Sequence, residues 1–256
     1  MAELLSSVKK AIEILNTFDL YNQELTAQEI SQHTKTPLSS LYKYLNVLLD
    51  AQMLERDIKT KKYVLGLAMF KLGITFEKRN SFVDIAFPYM EALSKETNET
   101  VLLNAIHGYE SICVKIIEST RLVKIAIQPG DTRPLHAGAA QKVLLAFQDD
   151  SFVDKVIKNT ELIKFTNRTI TDPIKLKKEL IKVRNHGFAV AYGEVDIGYK
   201  AVAAPIFNHL GGLTASLTVA GPNNRIDEAT LRELIPIVRT SAERISIDLG
   251  FRATRI

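Results

Sequence analysis

The stretch "TAQEISQHTKTPLSSLYKYLNVL", residues 26–48, decides how the first part of the chain folds. Thr26 with Glu29 three residues on is a capping box, in which each side chain satisfies a free backbone N–H of the other, so a helix starts at 27. Ile30 supplies its buried face. A second start follows at Thr36 and Pro37. Thr36 reads as the N-cap and Pro37 as the first helical residue, where its missing N–H costs nothing. Leu41, Leu45 and Leu48 then recur at helical spacing as an inward stripe. Two short helices and a brief turn make a helix-turn-helix.

Working outward, Leu4, Leu5, Val8, Ala11, Ile12, Leu15 and Phe18 mark an amphipathic helix upstream. Downstream, "MLERDIKTKKYVLG" at 53–66 reads as a strand, a turn at 58–62 and a return strand at 63–65. A hairpin directly behind a helix-turn-helix is a wing, and Lys59, Lys61 and Lys62 at or near its tip suit a phosphate backbone. The third helix offers Lys35, Thr36, Ser39, Ser40, Tyr42, Lys43 and Asn46 around its outward N-terminal face. Hydroxyls and amides reach base edges, while lysines and backbone N–H groups hold phosphates. Any exposed helix face is polar, so it is the wing that gives this face a direction. Charge agrees: residues 1–34 hold two Lys against five acids, and residues 35–66 hold six basic groups against three acids. Double-stranded DNA is the expected partner.

The bulk numbers bound the rest. A chain of 256 residues with 46% hydrophobic and 24% charged side chains reads as a soluble protein of two domains. No apolar run approaches the ~18 residues that span a bilayer, and the N-terminus reads as a helix rather than a signal peptide. The single cysteine, Cys113, excludes an internal disulfide framework and fits a reducing compartment, so the cytoplasm is expected.

After the wing, residues 67–80 form a helix carrying Leu67, Met69, Phe70, Leu72, Ile74 and Phe76. It is apolar over much of its circumference, and a partner subunit is the simplest cover. The expected organisation is a winged helix at 1–66, a linker and dimerisation helix at 67–80, and a second domain at 81–256. In the second domain, strands are expected at "TVLLNAIH", "SICVKIIE", "LVKIAIQ", "FAVAYGEVD", "AVAAPIF" and "LTASLTVAG". Helices are expected near 82–97, 137–147, 151–158 and 173–186, and from Asp227 onward. Neighbouring hairpins imply a mostly antiparallel sheet flanked by helices, an α+β fold. In "PLHAGAAQKVLLAF", residues 134–147, a helix opens on small residues. Gly138, Ala139 and Ala140 leave its first N–H groups open to an anion at the positive end of the helix.

On the blocks at 26–48 and 134–147, and on "YGEVDIGYKAVAAPIFNHLGGLTASLTVAGP" at 192–222, the chain resembles the IclR family of bacterial transcriptional regulators. The resemblance implies a winged helix-turn-helix followed by a GAF-like effector domain. It also implies homodimers that pair into tetramers, and control of catabolic operons by a small organic acid. It places the effector at Gly138, Ala139 and Ala140, and across the pocket at Glu194, Asp196, Tyr199, Ala201, Thr218 and Ala220. The chain departs from the family's pattern at Gln141, where a glycine commonly precedes the lysine, and at Ala201 and Ala220, which replace more polar residues. A pocket walled by methyl groups implies a larger or less polar ligand than a two- or three-carbon acid.

Two rival readings draw on the same residues. Lys142 near His136, with Glu194 and Asp196, could form an acid–base set. However, the chain has no Walker-type loop, nucleophile elbow or paired metal motif, so neither catalysis nor a cofactor is expected. Cys113 with His107, His136, His186 or His209 could hold a metal only through tertiary folding, since no short-range ligand spacing exists. A buried lone cysteine is more often simply core.

Overall fold

A computed structural model describes residues 2–19, 21–79 and 82–252, with the side chains of 2–5 and 76–79 left undescribed. The chain forms two compact units, Met1–Asn80 and Ser81–Ile256.

The first unit runs α1 (Ala2–Leu15), α2 (Ala27–Thr34), α3 (Leu38–Asp50), β1 (Leu54–Arg56), β2 (Tyr63–Leu65) and α4 (Leu67–Arg79). The capping box at α2 is formed, with the Glu29 carboxylate accepting from the Thr26 N–H at 2.7 Å and Thr26 Oγ1 accepting from the Glu29 N–H at 3.3 Å. Lys35 ends α2 in the left-handed conformation, φ 50°. The core joins Ile14, Ile30, Leu41, Leu45, Leu54 and Tyr63. Leu25 and Tyr63 exchange backbone hydrogen bonds of 3.0 and 2.7 Å, which ties the hairpin to the start of α2.

Three expectations change here. Pro37, not Thr36, holds the N-cap position of α3, and it offers no side-chain cap. Thr36 is buried, and its hydroxyl donates to the Thr34 carbonyl instead. Ile14 of α1 and Phe18 just beyond it face the core, whereas Val8 and Ile12 are more than half exposed. Apolar residues lie on more than one face of α1, so periodicity by itself could not say which face turns inward. Leu4, Leu5 and Phe76 belong to stripes that fall on undescribed side chains.

The second unit holds α5 (Phe82–Thr97), β3 (Thr100–His107), β4 (Glu110–Ile117), β5 (Thr132–Pro134), α6 (Ala139–Ala146), α7 (Asp150–Asn159) and α8 (Pro173–His186). Next come β6 (Ala189–Tyr192), β7 (Tyr199–Phe207), β8 (Leu213–Pro222) and α9 (Glu228–Asp248). The strands make one antiparallel sheet in the order β5-β4-β3-β8-β7-β6. Alternation splits its residues between two layers. Val101, Leu103, Val202, Leu217 and Val219 pack with Met90 of α5 and with Leu234 and Val238 of α9. On the opposite face, Ala191 and Ala203 pack under Val143 and Leu144 of α6 and Leu180 of α8.

One expected strand is missing. Residues 122–128 alternate like a strand, yet they pair with none. Both edges of β3 are occupied, and the outer side of β4 pairs with β5 and bonds through Cys113 to Gly130 and Asp131. The segment keeps its alternation but forms no ladder. Leu122 and Val123 are exposed, while Ile125 and Ile127 pack on Leu102, Cys113 and Ala220.

Candidate functional site

Beside that small cluster lies a cavity of about 80 Å³, several times what one water molecule needs. Its floor is the sheet face bearing Leu102 and Asn104 of β3, Cys113 of β4, Ala201 of β7, and Thr218 and Ala220 of β8. Ile125 and Ile127 cover one side. The start of α6 and the 193–199 loop close the others. Two polar atoms in this wall, Asn104 Oδ1 and Thr218 Oγ1, are buried without a hydrogen-bond partner. Burial pushes the Cys113 thiol up to about 12, with the Asp131 carboxylate adding to the shift, so it stays protonated at neutral pH.

The start of α6 has a definite architecture. Gly138 holds the N-cap position at φ 102°, and a Cβ there would sit 2.4 Å from Gln141 Oε1, so both conformation and space require glycine. Its N–H donates to Glu194 Oε2 at 3.0 Å. The other oxygen of Glu194 meets Lys142 Nζ at 2.6 Å, and that ammonium also donates to the Val190 carbonyl at 2.9 Å and to Glu179 at 3.4 Å. The side chains of Lys142 and Glu194 are 1% and 8% exposed. The positive end of α6 is therefore already held by the chain's own carboxylate, as its partial charge favours. Ala139 and Ala140, the next two residues, line the cavity, and their N–H groups have no acceptor inside the helix.

In the first unit, the inward stripe of α3 is Leu41, Leu45 and Leu48, which leaves Ser39, Ser40, Tyr42, Lys43 and Asn46 exposed together, with Lys35 just before the helix. The hairpin turn is shaped by Asp57, whose carboxylate accepts the Lys59 N–H at 2.8 Å and the Thr60 N–H at 2.6 Å. Lys59 and Lys61 are exposed at the tip. Lys62 turns back to within 3.8 Å of Glu24.

Two family models match. The model described as the IclR helix-turn-helix domain covers residues 7–57, and the one described as bacterial transcriptional regulator IclR, C-terminal, covers residues 77–247. The chain belongs to the IclR family. Among relatives, the HTH-type transcriptional regulator KipR of Bacillus subtilis is 35% identical, with 96% of this chain and 97% of KipR aligned. The HTH-type transcriptional repressor AllR of Escherichia coli K12 is 28% identical over 96% of this chain and 91% of its own. An IclR homologue from Microbacterium hydrocarbonoxydans, solved in complex with 4-hydroxybenzoate, shares the fold at a TM-score of 0.82 and 23% identity, covering 95% of this chain and 98% of that one. As a family member, the protein is a DNA-binding transcriptional regulator with an α+β fold. The family and these relatives are regulators and not enzymes.

For this IclR-family chain, the structure gathers Gly138, Ala139, Ala140, Glu194, Asp196, Tyr199, Ala201, Thr218 and Ala220 around the one cavity. Their roles there differ. Glu194 is spent on Lys142 and Gly138, so the Gly138 N–H is not free for a ligand. Asp196 is half exposed at the rim, 3.8 Å from Arg133. Thr36 is too buried to touch DNA through its side chain, and Lys62 is partly neutralised by Glu24. Of the acid–base set, Lys142 and Glu194 meet as a buried ion pair, while Asp196 faces Arg133 and His136 is held by its Nε2 against the Ile163 carbonyl at 2.9 Å. Of the cysteine–histidine set only Cys113 and His136 are buried, and no group of three or more His, Cys, Asp or Glu among the described residues could hold a metal.

Sequence reasoning missed Asn104, Arg133, Ile125 and Ile127. The only signal for Asn104 was a lone amide at the centre of the apolar strand "TVLLNAIH".

Proposed function

We propose that this regulator represses a catabolic operon and that a small organic acid, bound in the cavity beside α6, alters its hold on the operator. One observation carries the reading. A cavity in the second unit has two buried polar atoms without partners, next to a helix start where the Ala139 and Ala140 N–H groups have no acceptor inside the helix. The 4-hydroxybenzoate found in the Microbacterium relative supports an acid as ligand, and the name of AllR supports repression.

In this reading, residues 1–66 bind DNA through Lys35, Ser39, Ser40, Tyr42, Lys43 and Asn46 in the major groove, with Lys59 and Lys61 on the backbone. Residues 67–80 pair two chains, supported by the exposed Leu67, Phe70, Leu72 and Ile74 of α4, and dimers assemble to tetramers. Residues 81–256 bind the effector. Operator DNA puts the site of action in the cytoplasm. Coupling requires the ligand to favour one of two arrangements of the protein, typically by ~1–3 kcal/mol.

The test is operator release, followed by fluorescence anisotropy with the full chain and a panel of small carboxylic acids. At least one acid should shift operator affinity in the wild type. Ala140→Leu, which fills the cavity beside the helix start, should abolish that shift. No response to any acid, or an unaltered response in the variant, would sink the assignment.

A further inference from the structure

Three of the four buried side-chain atoms without a hydrogen-bond partner among the described residues belong to one patch: Asn104 Oδ1, Ser216 Oγ and Thr218 Oγ1. The register explains the clustering. Asn104 lies directly opposite Ser216, and Leu102 directly opposite Thr218, in the β3–β8 pair. The three polar residues therefore share the sheet face that looks toward α6, and Asn104 and Thr218 reach the cavity wall. Side chains opposite each other in an antiparallel pair are close enough to act as one surface.

A fold can satisfy a buried hydroxyl easily by rotating it onto a neighbouring carbonyl, as Ser246 and Thr97 do here. Leaving an amide oxygen and two hydroxyls unpaired side by side is costly, and natural proteins rarely keep such groups without a use.

We infer that Asn104, with Thr218, reads an uncharged hydroxyl or amide N–H on the effector, which makes the effector a hydroxy or amide acid rather than a plain hydrocarbon acid. This rests on the acid-effector reading above and narrows it. Asn104 Oδ1 accepts, so the group it meets must donate. The donor must be neutral because the floor it meets is apolar and two of the cavity's three carboxylates already face cations. Glu194 serves Lys142 and Gly138, Asp196 faces Arg133, and Asp131 accepts the Gln128 N–H. An ammonium on the floor formed by Leu102, Cys113 and Ala220 would lie buried among apolar groups at a high desolvation cost. The donor also compensates for the methyl groups of Ala201 and Ala220, which offer no hydrogen bond of their own. Asn104 is thus a specificity-determining residue, and a site built to hydrogen-bond one group rejects the analogue that lacks it.

The test compares hydroxy acids with their deoxy partners on the full-length protein by calorimetry: lactate with propionate, 4-hydroxybutyrate with butyrate, and 4-hydroxybenzoate with benzoate. In at least one pair the hydroxy acid should bind the wild type about tenfold tighter or better. Asn104→Leu should erase that preference while the melting temperature of the ligand-free protein stays level or rises, because a polar group that lacks a partner is being removed. A residue with a purely structural role would instead lower the melting temperature. If deoxy acids bind as tightly as hydroxy acids in every pair, the acid site stands and the donor inference falls. A preference that survives both Asn104→Leu and Thr218→Val also overturns it. If none of the six acids binds the wild type, this inference and the acid-effector reading fall together.

Discussion

Glu194→Gln should destabilise the second unit by leaving the buried Lys142 ammonium without its carboxylate partner. The substitution keeps the shape of the side chain and lets the new amide oxygen still accept the Gly138 N–H. It removes the negative partner, 2.6 Å away, of a lysine that is 1% exposed. Stripping one member from a buried ion pair costs about 3–5 kcal/mol, mostly because the other charge is left uncompensated. The Val190 carbonyl at 2.9 Å and Glu179 at 3.4 Å remain for Lys142, although Glu179 is 27% exposed and screened by water. The loss should therefore sit near the lower end, about 3 kcal/mol. For a unit of this size that corresponds to a fall of roughly 6–12 °C in Tm. Lys142→Met combined with Glu194→Gln removes both charges and keeps the volume, so most of the stability should return, to within about 1 kcal/mol of wild type. Scanning calorimetry of the full chain, following the transition of the larger unit, measures Glu194→Gln, Lys142→Met and the double variant. If the double variant loses the sum of the two single losses, or Glu194→Gln melts within about 2 °C of wild type, the pair is not the buried couple described.

Three further outcomes are expected. Lys61→Ala should weaken binding to all DNA sequences alike and lower the salt slope by about one, with a smaller change for Lys62→Ala because Glu24 already faces that lysine; equal slopes for wild type and Lys61→Ala would remove the wing from the interface. Phe70→Glu with Ile74→Glu should yield monomers in sedimentation and lose operator affinity, whereas an intact dimer would show that α4 is not the pairing helix. The Cys113 thiol titrates near 9 in the unfolded chain and at about 12 in the fold, so its stabilising share is whole below pH 9 and is lost as pH climbs toward 12. Cys113→Val should flatten the alkaline limb of the stability curve, and the native thiol should resist iodoacetamide at pH 8; rapid alkylation of folded protein would contradict its burial.

Whatever depends on neighbours a few residues apart was legible in the chain itself. The capping box of Thr26 and Glu29, the stripe of Leu41, Leu45 and Leu48, and the helix start at Asp227, whose carboxylate accepts the Thr230 N–H at 2.8 Å, are all local, and all three form. The strands around Gly108 and Gly211 follow from alternation bounded by turns, which is also local. Tertiary structure decided what depends on distant partners. Residues 122–128 carry a strand pattern, but a strand also needs a neighbour to bond to, and these residues pair with none. Glu194 reads as a ligand-facing carboxylate until Lys142, 52 residues earlier, claims it. Asn104 looks like a lapse in an apolar strand until the register sets it beside Ser216 and Thr218 with no partner among them. Periodicity tells a residue which side of its own element it occupies. Only the packing of elements far apart in the chain settles what waits on that side, because a charge or an amide is satisfied by what it meets in space and not by what precedes it in sequence.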